Sequence, residues 1–313
     1  MTNDEHWALW HADPRATPFQ SLAWIDAWWT AFGGVERLDI EVRDGGRLVA
    51  VLPAHVWHDG TTRRLIPIAA GQSDYSDALF DPTVPDAPAR LWDAIAATSA
   101  AWDEVLLPDV RPDSPLLAQP PADWMVTDEP GEVCPVLTLP AGPLLPSLSK
   151  SQRRKVVHDR HRAAAAGGVR EALATPAEVP ALLDDLFALH AARWQAQGEA
   201  GVLADPRMHH FLRLAASDLA DTGHLRVTYA NFRNRNVAVL FAFADRFRTH
   251  SYAIGTAADV PGQSFGSMAF ATLIEAAAAA GQHEMHFLRG EEPYKYQWGA
   301  IATSTIVRSA RRR

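Results

Sequence analysis

Glu291, Glu292, Tyr294, Lys295 and Tyr296 fall within six residues, directly after the apolar run 285–288 and one Arg289-Gly290 step. Two carboxylates can take a proton from a nucleophile, and two phenols can return one to a leaving group. Such groups serve best where a rigid strand gives way to an open loop. A solvated loop whose aromatics pack back on a sheet would use the same residue types. Lys295 is one of only three lysines, against 26 arginines, an excess that reads first as a bias of base composition.

A second candidate is the stretch Pro261-Gly262-Gln263-Ser264-Phe265-Gly266-Ser267-Met268, which opens into an apolar helix over 264–280. Unpaired N–H groups at a helix start, with the helix dipole behind them, attract phosphate, and Gly266 permits close backbone approach. An ordinary helix start capped by Ser264 would look the same. Residues 262–266 also spell Gly-x-Ser-x-Gly, the nucleophile elbow of hydrolases. That elbow needs a strand running straight into the serine. Here Pro261 intervenes, and the only later histidines are His283 and His286, so a serine hydrolase is not expected.

Three further groups carry charge or aromatic surface. Lys150, Arg153, Arg154, Lys155, Arg160 and Arg162, opposed only by Asp159, form a basic helix able to receive phosphates from a cofactor or from RNA, or simply a solvated face. His190, Arg193 and Trp194 share one face of a helix at i, i+3 and i+4, a spacing that equally suits a tryptophan packing into the core. Asp74, Tyr75 and Asp77 lie in the polar loop 72–77, a turn or the lining of a cleft between domains. No metal-ligand spacing is present: His209 and His210 are adjacent and point apart on a helix.

The elements that must position these groups follow from periodicity and turn signals. Helical spacing marks 17–32, 85–101, 149–166, 177–197, 206–221 and 264–280, and strand patterns mark 38–43, 47–57, 61–69, 78–80, 103–107, 133–139, 169–174, 224–231, 236–245, 249–255, 284–288 and 303–307. Residues 311–313, all arginine, read as a disordered tail. Three prolines within 140–146, and nine of eleven tryptophans before them, place a domain boundary near 140–148. The expected class is α+β, or mixed α/β layers, rather than a doubly wound nucleotide fold.

Composition narrows the function classes. A chain of 313 residues with 48% apolar and 21% charged residues suits about two globular domains. A net charge of −8 and a pI near 5.9 argue against a dedicated nucleic-acid binder. The single cysteine, Cys134, excludes an intrachain disulfide and fits a reducing compartment. Neither a secretory signal nor an apolar window of about 18 residues is present, so a cytoplasmic protein without a membrane span is expected.

The second half resembles the GNAT acyltransferase superfamily, in the branch related to the Fem peptidyltransferases and the CelD-type proteins of cellulose biosynthesis. Ser149-Lys-Ser-Gln-Arg-Arg-Lys155, Leu189-His-Ala-Ala-Arg-Trp194, the 263–268 stretch and Phe287-Leu-Arg-Gly-Glu-Glu-Pro-Tyr-Lys295 carry the likeness. The Trp-rich helix, the Asp44-Gly45-Gly46 hairpin and the Ser73-Asp74-Tyr75 loop extend it to the first half. The resemblance implies tandem GNAT-like domains, a degenerate one at 1–145 and an acyltransferase domain at 146–313, each a mostly antiparallel sheet flanked by helices. It implies acetyl-CoA or another acyl-CoA as co-substrate, held by Gln263, Ser264, Phe265, Gly266 and Ser267 with Ile254 and Gly255, and no metal. Met268 departs from the family's small residue and would crowd the phosphates.

The same resemblance makes Glu291 or Glu292 the base and Tyr294 or Tyr296 the acid in direct transfer to an amine of a small molecule, sugar or peptide. Asp74, Tyr75, Asp77, His190, Arg193, Trp194 and Lys295 would then contact the acceptor, with the alternative that Lys295 and Trp298 do no more than hold the loop. Two other outcomes fit the sequence: Fem-like transfer from an aminoacyl-tRNA bound by the basic helix, and a non-catalytic binding protein on the same fold.

Overall fold

In the computed structural model, residues 1–34, 37–118, 123–260 and 264–312 are described. The chain begins with α1 (Asn3–Ala12) and α2 (Leu22–Phe32), then β1 (Ile40–Asp44), β2 (Arg47–Leu52), β3 (Ala54–Asp59), β4 (Thr62–Pro67) and β5 (Leu79–Phe80). Next come α3 (Ala87–Ala97), β6 (Glu104–Val110), α4 (Pro115–Ala118), β7 (Trp124–Val133) and β8 (Val136–Thr138). The helices α5 (Leu144–Ser147) and α6 (Lys150–Ala165) lead to β9 (Val169–Leu173), α7 (Val179–Gln195) and α8 (Pro206–Asp221). The strands β10 (Leu225–Phe232), β11 (Arg235–Ala244) and β12 (Arg248–Thr256) follow. The last elements are α9 (Phe265–Ala279), β13 (Glu284–His286), α10 (Pro293–Gln297) and β14 (Ser304–Arg312).

These elements form two compact units, one of residues 1–134 with 303–313, the other of residues 135–302. Both are mixed α/β, as expected from the sequence. Among the described residues the first unit holds the sheets β1-β2-β5 and β3-β4-β6-β14-β7, and the second holds β8-β13-β12-β11-β10-β9.

The units differ from the expected division at 145/146. The final strand returns to the first unit, where it pairs with both β6 and β7. Far from a disordered tail, Arg311 and Arg312 pair with Met125 and Trp124; Arg313 lies outside the described residues. The basic composition of β14 hid its burial. Arg308, 3% exposed, makes two 2.7 Å bonds to the Asp128 carboxylate and donates to the Leu116 carbonyl at 2.6 Å. A bidentate pair of this kind satisfies a guanidinium inside a sheet.

The strand expected over 47–57 is two strands in two sheets, divided at Pro53, which has no N–H to give a ladder. The helix α1 was not expected, because it has charge at positions 4 and 5 and no clean apolar stripe. A capping box starts it, with the Thr2 hydroxyl accepting from the Glu5 N–H and the Glu5 carboxylate from the Thr2 N–H.

In the second unit β10, β11 and β12 run as an antiparallel meander, and α9 carries the chain across to the parallel strand β13. Side chains alternate across β12. Ile254 packs toward the cluster built on Phe265, Met268, Leu273 and Ile274 of α9. Gly255 faces the other way, where an added Cβ would come within 2.8 Å of the Leu186 carbonyl and Leu189 Cβ on α7. Thus α9 and α7 cover opposite faces of the sheet.

Candidate active site

The parallel ladder between β12 and β13 is short. It joins Arg248–His250 to Glu284–His286 and ends there, while β12 continues to Thr256. The chain after β13 bends away: Phe287 donates its N–H to the Pro135 carbonyl at 2.9 Å, and Leu288 takes a left-handed φ of 58°. On the β11 side, Phe241 pairs with Ala253 and Ala242 with Ser251, so Tyr252 is an extra, bulged residue. Beyond His250, then, β12 presents an edge that β13 does not pair, next to a bulge.

The segment that bends away carries the acidic and phenolic cluster. Gly290 has a φ of 103°, and a Cβ there would meet the Glu292 carboxylate at 2.6 Å, so this step requires glycine. Lys295 is 2% exposed, and its ammonium donates to the carbonyls of Leu288 (3.1 Å), Arg289 (2.6 Å) and Gly290 (3.0 Å). The same ammonium lies 2.9 Å from the Glu292 carboxylate. This corrects the expectation that Lys295 contacts the acceptor: its donors are spent on the loop, which it holds in shape.

The two glutamates differ. Glu292 is tied to Lys295, whereas Glu291 is exposed and accepts only from the Tyr296 hydroxyl, at 3.3 Å, among the described residues. Tyr294 is the second residue of the short helix α10, and its ring lies 5.3 Å from Phe270 and 6.3 Å from Phe287. Burial raises its phenol well above the usual tyrosine range, the Glu292 charge adds to this, and the Arg193 guanidinium opposes it. Tyr294 therefore holds its proton at neutral pH.

His190, Arg193 and Trp194 share one face of α7, with His190 buried, Trp194 half-buried and outside the buried core, and Arg193 exposed. Trp194 Nε1 donates to His190 Nε2 at 2.8 Å, which leaves the ring proton of a neutral His190 on Nδ1. Burial, with Arg193 and His209, lowers the pKa of His190. Gly201, with a φ of 77°, closes over the pair: a Cβ there would meet Trp194 at 2.5 Å and His190 at 2.8 Å. Arg193 is exposed and has no hydrogen bond or ion pair among the described residues.

The anion-binding expectation centres on the start of α9. Gln263, Pro261 and Gly262 lie outside the described residues. Ser264 makes no cap hydrogen bond. Instead its Oγ lies 2.7 Å from Ser267 Oγ, which receives the Lys155 ammonium at 2.6 Å. Among the described residues no side chain caps the first-turn N–H groups of α9, and a lysine lies beside them. A Cβ on Gly266 would touch Thr256 at 3.1 Å and Ile254 at 3.5 Å, so this glycine seats the helix on the end of β12.

Phe265 and Met268 turn inward, 3% and 0% exposed in the core. This corrects two expectations: Phe265 offers no side chain to a ligand, and Met268 does not crowd the helix start. Gly255 is likewise given to helix packing, against α7.

The rest of the basic helix divides. Arg160 pairs with Glu171 and Glu275, a packing role, while Arg153, Arg154 and Arg162 are exposed. Sequence reasoning had Lys155 only as one charge among six. Its rarity as a lysine was the available signal.

Asp74, Tyr75 and Asp77 belong to the first unit, and all are buried. Trp24 Nε1 donates to Ser73 Oγ (2.9 Å), Trp28 Nε1 to Gln72 Oε1 (2.8 Å) and Gln20 Nε2 to the Tyr75 carbonyl (2.8 Å). Asp77 accepts from Ser114 Oγ at 2.7 Å and the Ala78 N–H at 2.8 Å, and burial raises it to about 6 against the pull of Arg111. Among the described residues no group of three His, Cys, Asp or Glu could hold a metal ion, and no helix is long and apolar enough to cross a membrane.

Residues 150–296 match the family model of an acetyltransferase (GNAT) domain. The matched residues lie within the second unit. Across the whole chain the fold is shared with solved structures of low identity. FemX aligns over 98% of this chain and 96% of its own, at 11% identity and a TM-score of 0.71. A conserved protein of unknown function from Bacteroides thetaiotaomicron VPI-5482 aligns over 100% and 98%, at 12% and 0.67. A C-terminal domain named for a lysylphosphatidylglycerol synthetase of Agrobacterium fabrum aligns over 98% and 91%, at 11% and 0.59. At these identities the likeness is one of fold. No curated protein matches the chain.

Proposed function

We propose that the GNAT domain transfers an acyl group, acetyl in the simplest case, from an acyl-CoA to the amine of a small molecule, sugar or peptide. The observation that carries this reading is the parting of β12 from β13 beside the uncapped start of α9. A thioester lying along the free edge of β12 would have backbone N–H groups near 253–255 for its oxygen. The phosphates would meet the first turn of α9, Ser264, Ser267 and Lys155. The acceptor amine gives a proton to Glu291, the freer of the two glutamates, as its nitrogen attacks the thioester carbon. The C–N bond forms, the C–S bond breaks, and the departing thiolate takes a proton from Tyr294.

Acetyl-CoA titrated onto the pure protein should raise its melting temperature, since a ligand that binds only the folded state stabilises it. In a panel of amines with a thiol-trapping reagent, CoA should appear only with an acceptor. A protein that binds no acyl-CoA would sink the proposal. It would favour a second reading, supported by the whole-length fold likeness to FemX and by the exposed Arg153, Arg154 and Arg162: transfer from an aminoacyl-tRNA. Binding would then weaken steeply with salt and with loss of Arg153 and Arg154. A GNAT fold kept only for binding would show stabilisation by acyl-CoA without turnover.

A further inference from the structure

Arg193 stands out among the groups that this mechanism leaves unused. It is an exposed guanidinium without a hydrogen bond or ion pair among the described residues, on the last turn of α7. Its place relative to the site is fixed from two sides. Leu189 and His190, just before it, press on Gly255 at the far end of β12, past the point where β13 has left the strand. Its charge also acts on the Tyr294 hydroxyl, as does that of Glu292.

Alternation along β12 separates Arg193 from the phosphate end. Gly255 faces α7, while Ile254 and Thr256 face Gly266 on α9. Arg193 therefore lies across the sheet from Lys155 and Ser267.

Resting on the acyltransferase reading, we infer that the acceptor is zwitterionic, an amine that also bears a carboxylate, as in an amino acid or a peptide. Arg193 takes the carboxylate, with its planar fork suited to two parallel bonds, while the amine, having lost its extra proton to solvent, meets Glu291 and gives it the second proton as it is acylated. The Trp194–His190 pair, locked by its own hydrogen bond and by Gly201, forms the wall beside Arg193.

Matched ligands test this without relying on turnover. Calorimetry on the full chain, with and without acetyl-CoA, would compare L-lysine with cadaverine, β-alanine with ethylamine, and glycylglycine with glycylglycinamide. Within each pair the carboxylate should tighten binding about 10- to 100-fold, the range for a hydrogen-bonded charge. Arg193→Gln should erase that advantage, Arg193→Lys should keep part of it, and neither should change acetyl-CoA affinity or the melting temperature. Tighter binding of lysine and β-alanine marks a free amino acid as acceptor, and tighter binding of glycylglycine marks a peptide.

Equal affinities within the pairs, or no binding by any carboxylate-bearing member, overturn the inference. Loss of acetyl-CoA affinity in Arg193→Gln also overturns it and assigns the arginine to the donor. Failure of acetyl-CoA to bind the parent protein is a separate result, which removes the acyltransferase reading instead.

Discussion

Two loops of this chain look alike on paper and differ in the fold. Residues 72–77 and 289–296 are both short, rich in carboxylates and tyrosines, and set beside apolar strands. In the first, Ser73, Asp74, Tyr75, Ser76 and Asp77 are all buried, and indole and amide groups of its own unit hold its backbone and side chains. In the second the backbone is held by a buried ammonium while Glu291 and Glu292 stay exposed. The contrast separates two uses of polar residues. A buried polar loop bonded mostly within its own unit fixes architecture, because little of it is open to a ligand. A loop whose backbone is pinned and whose charged tips are open can do chemistry, because orientation is already set when the substrate arrives.

The largest effect is expected where that pinning is removed. Lys295→Ala leaves three carbonyls and the Glu292 carboxylate without their donor, and should cost ~3 kcal/mol in urea unfolding. Lys295→Arg should fail to rescue it, since a planar fork cannot converge on three carbonyls as a compact ammonium does. A Lys295→Ala protein of parental stability would erase the difference between the loops.

Next in size is Glu291. Its removal as Glu291→Gln should lower kcat by about 10²- to 10³-fold with little change in stability, the range for loss of a general base. Glu292→Gln should instead act mainly through the loop, with a measurable loss of stability. If the two variants exchanged behaviour, the paired carboxylate would be the base and the roles drawn here would be reversed.

Much of this arrangement was legible beforehand, and the exceptions share a cause. The meander of β10 to β12, the crossover α9 and the basic helix α6 follow from strong periodicity and clear stops. What was missed depends on partners far along the chain. Arg308 reads as a residue just past the last strand until Asp128 is found beside it. Pro53 reads as part of one strand until two sheets claim its flanks. Met268 reads as an obstruction until the helix rotates it into the core. At the site, residue types suggested the acid–base chemistry that is proposed, but the inward turn of Lys295 hangs on the left-handed backbone at Leu288 and Gly290, which no spacing rule displays.

The first loop offers a pH test of its own. The Asp77 carboxyl holds its proton to about 6 in the fold, because burial opposes the charge, whereas an unfolded chain releases it near the usual 3.8. The folded state therefore binds the proton more tightly. The resulting stability is complete below pH 3.8 and is lost as pH rises through 6, a change of ~3 kcal/mol at most. Asp77→Asn keeps an acceptor for Ser114 and Ala78 but has nothing to ionise. Across pH 4 to 8 it should flatten the stability profile and equal or exceed the parent at pH 8. An Asp77→Asn protein that folds normally yet loses acceptor binding would show that the buried loop belongs to the site after all.

The smallest effect tests the phosphate end. Lys155 is part-exposed, and its bond to Ser267 runs through a hydroxyl, so its contribution to an anion at α9 is screened by solvent. Lys155→Ala should weaken acetyl-CoA by about fivefold, a ~1 kcal/mol loss, with acceptor affinity unchanged. The same ligand without its phosphates, acetylpantetheine, should bind parent and variant equally. That equality matters more than the size of the loss. A lysine that only braces Ser267 would weaken both ligands alike through a displaced helix start, whereas one that meets a phosphate weakens only the ligand that has one. Lys295 and Lys155 would then divide as the two loops do, one ammonium used up in holding backbone and one, shared between Ser267 and Asp159 and part-exposed, still able to meet a ligand.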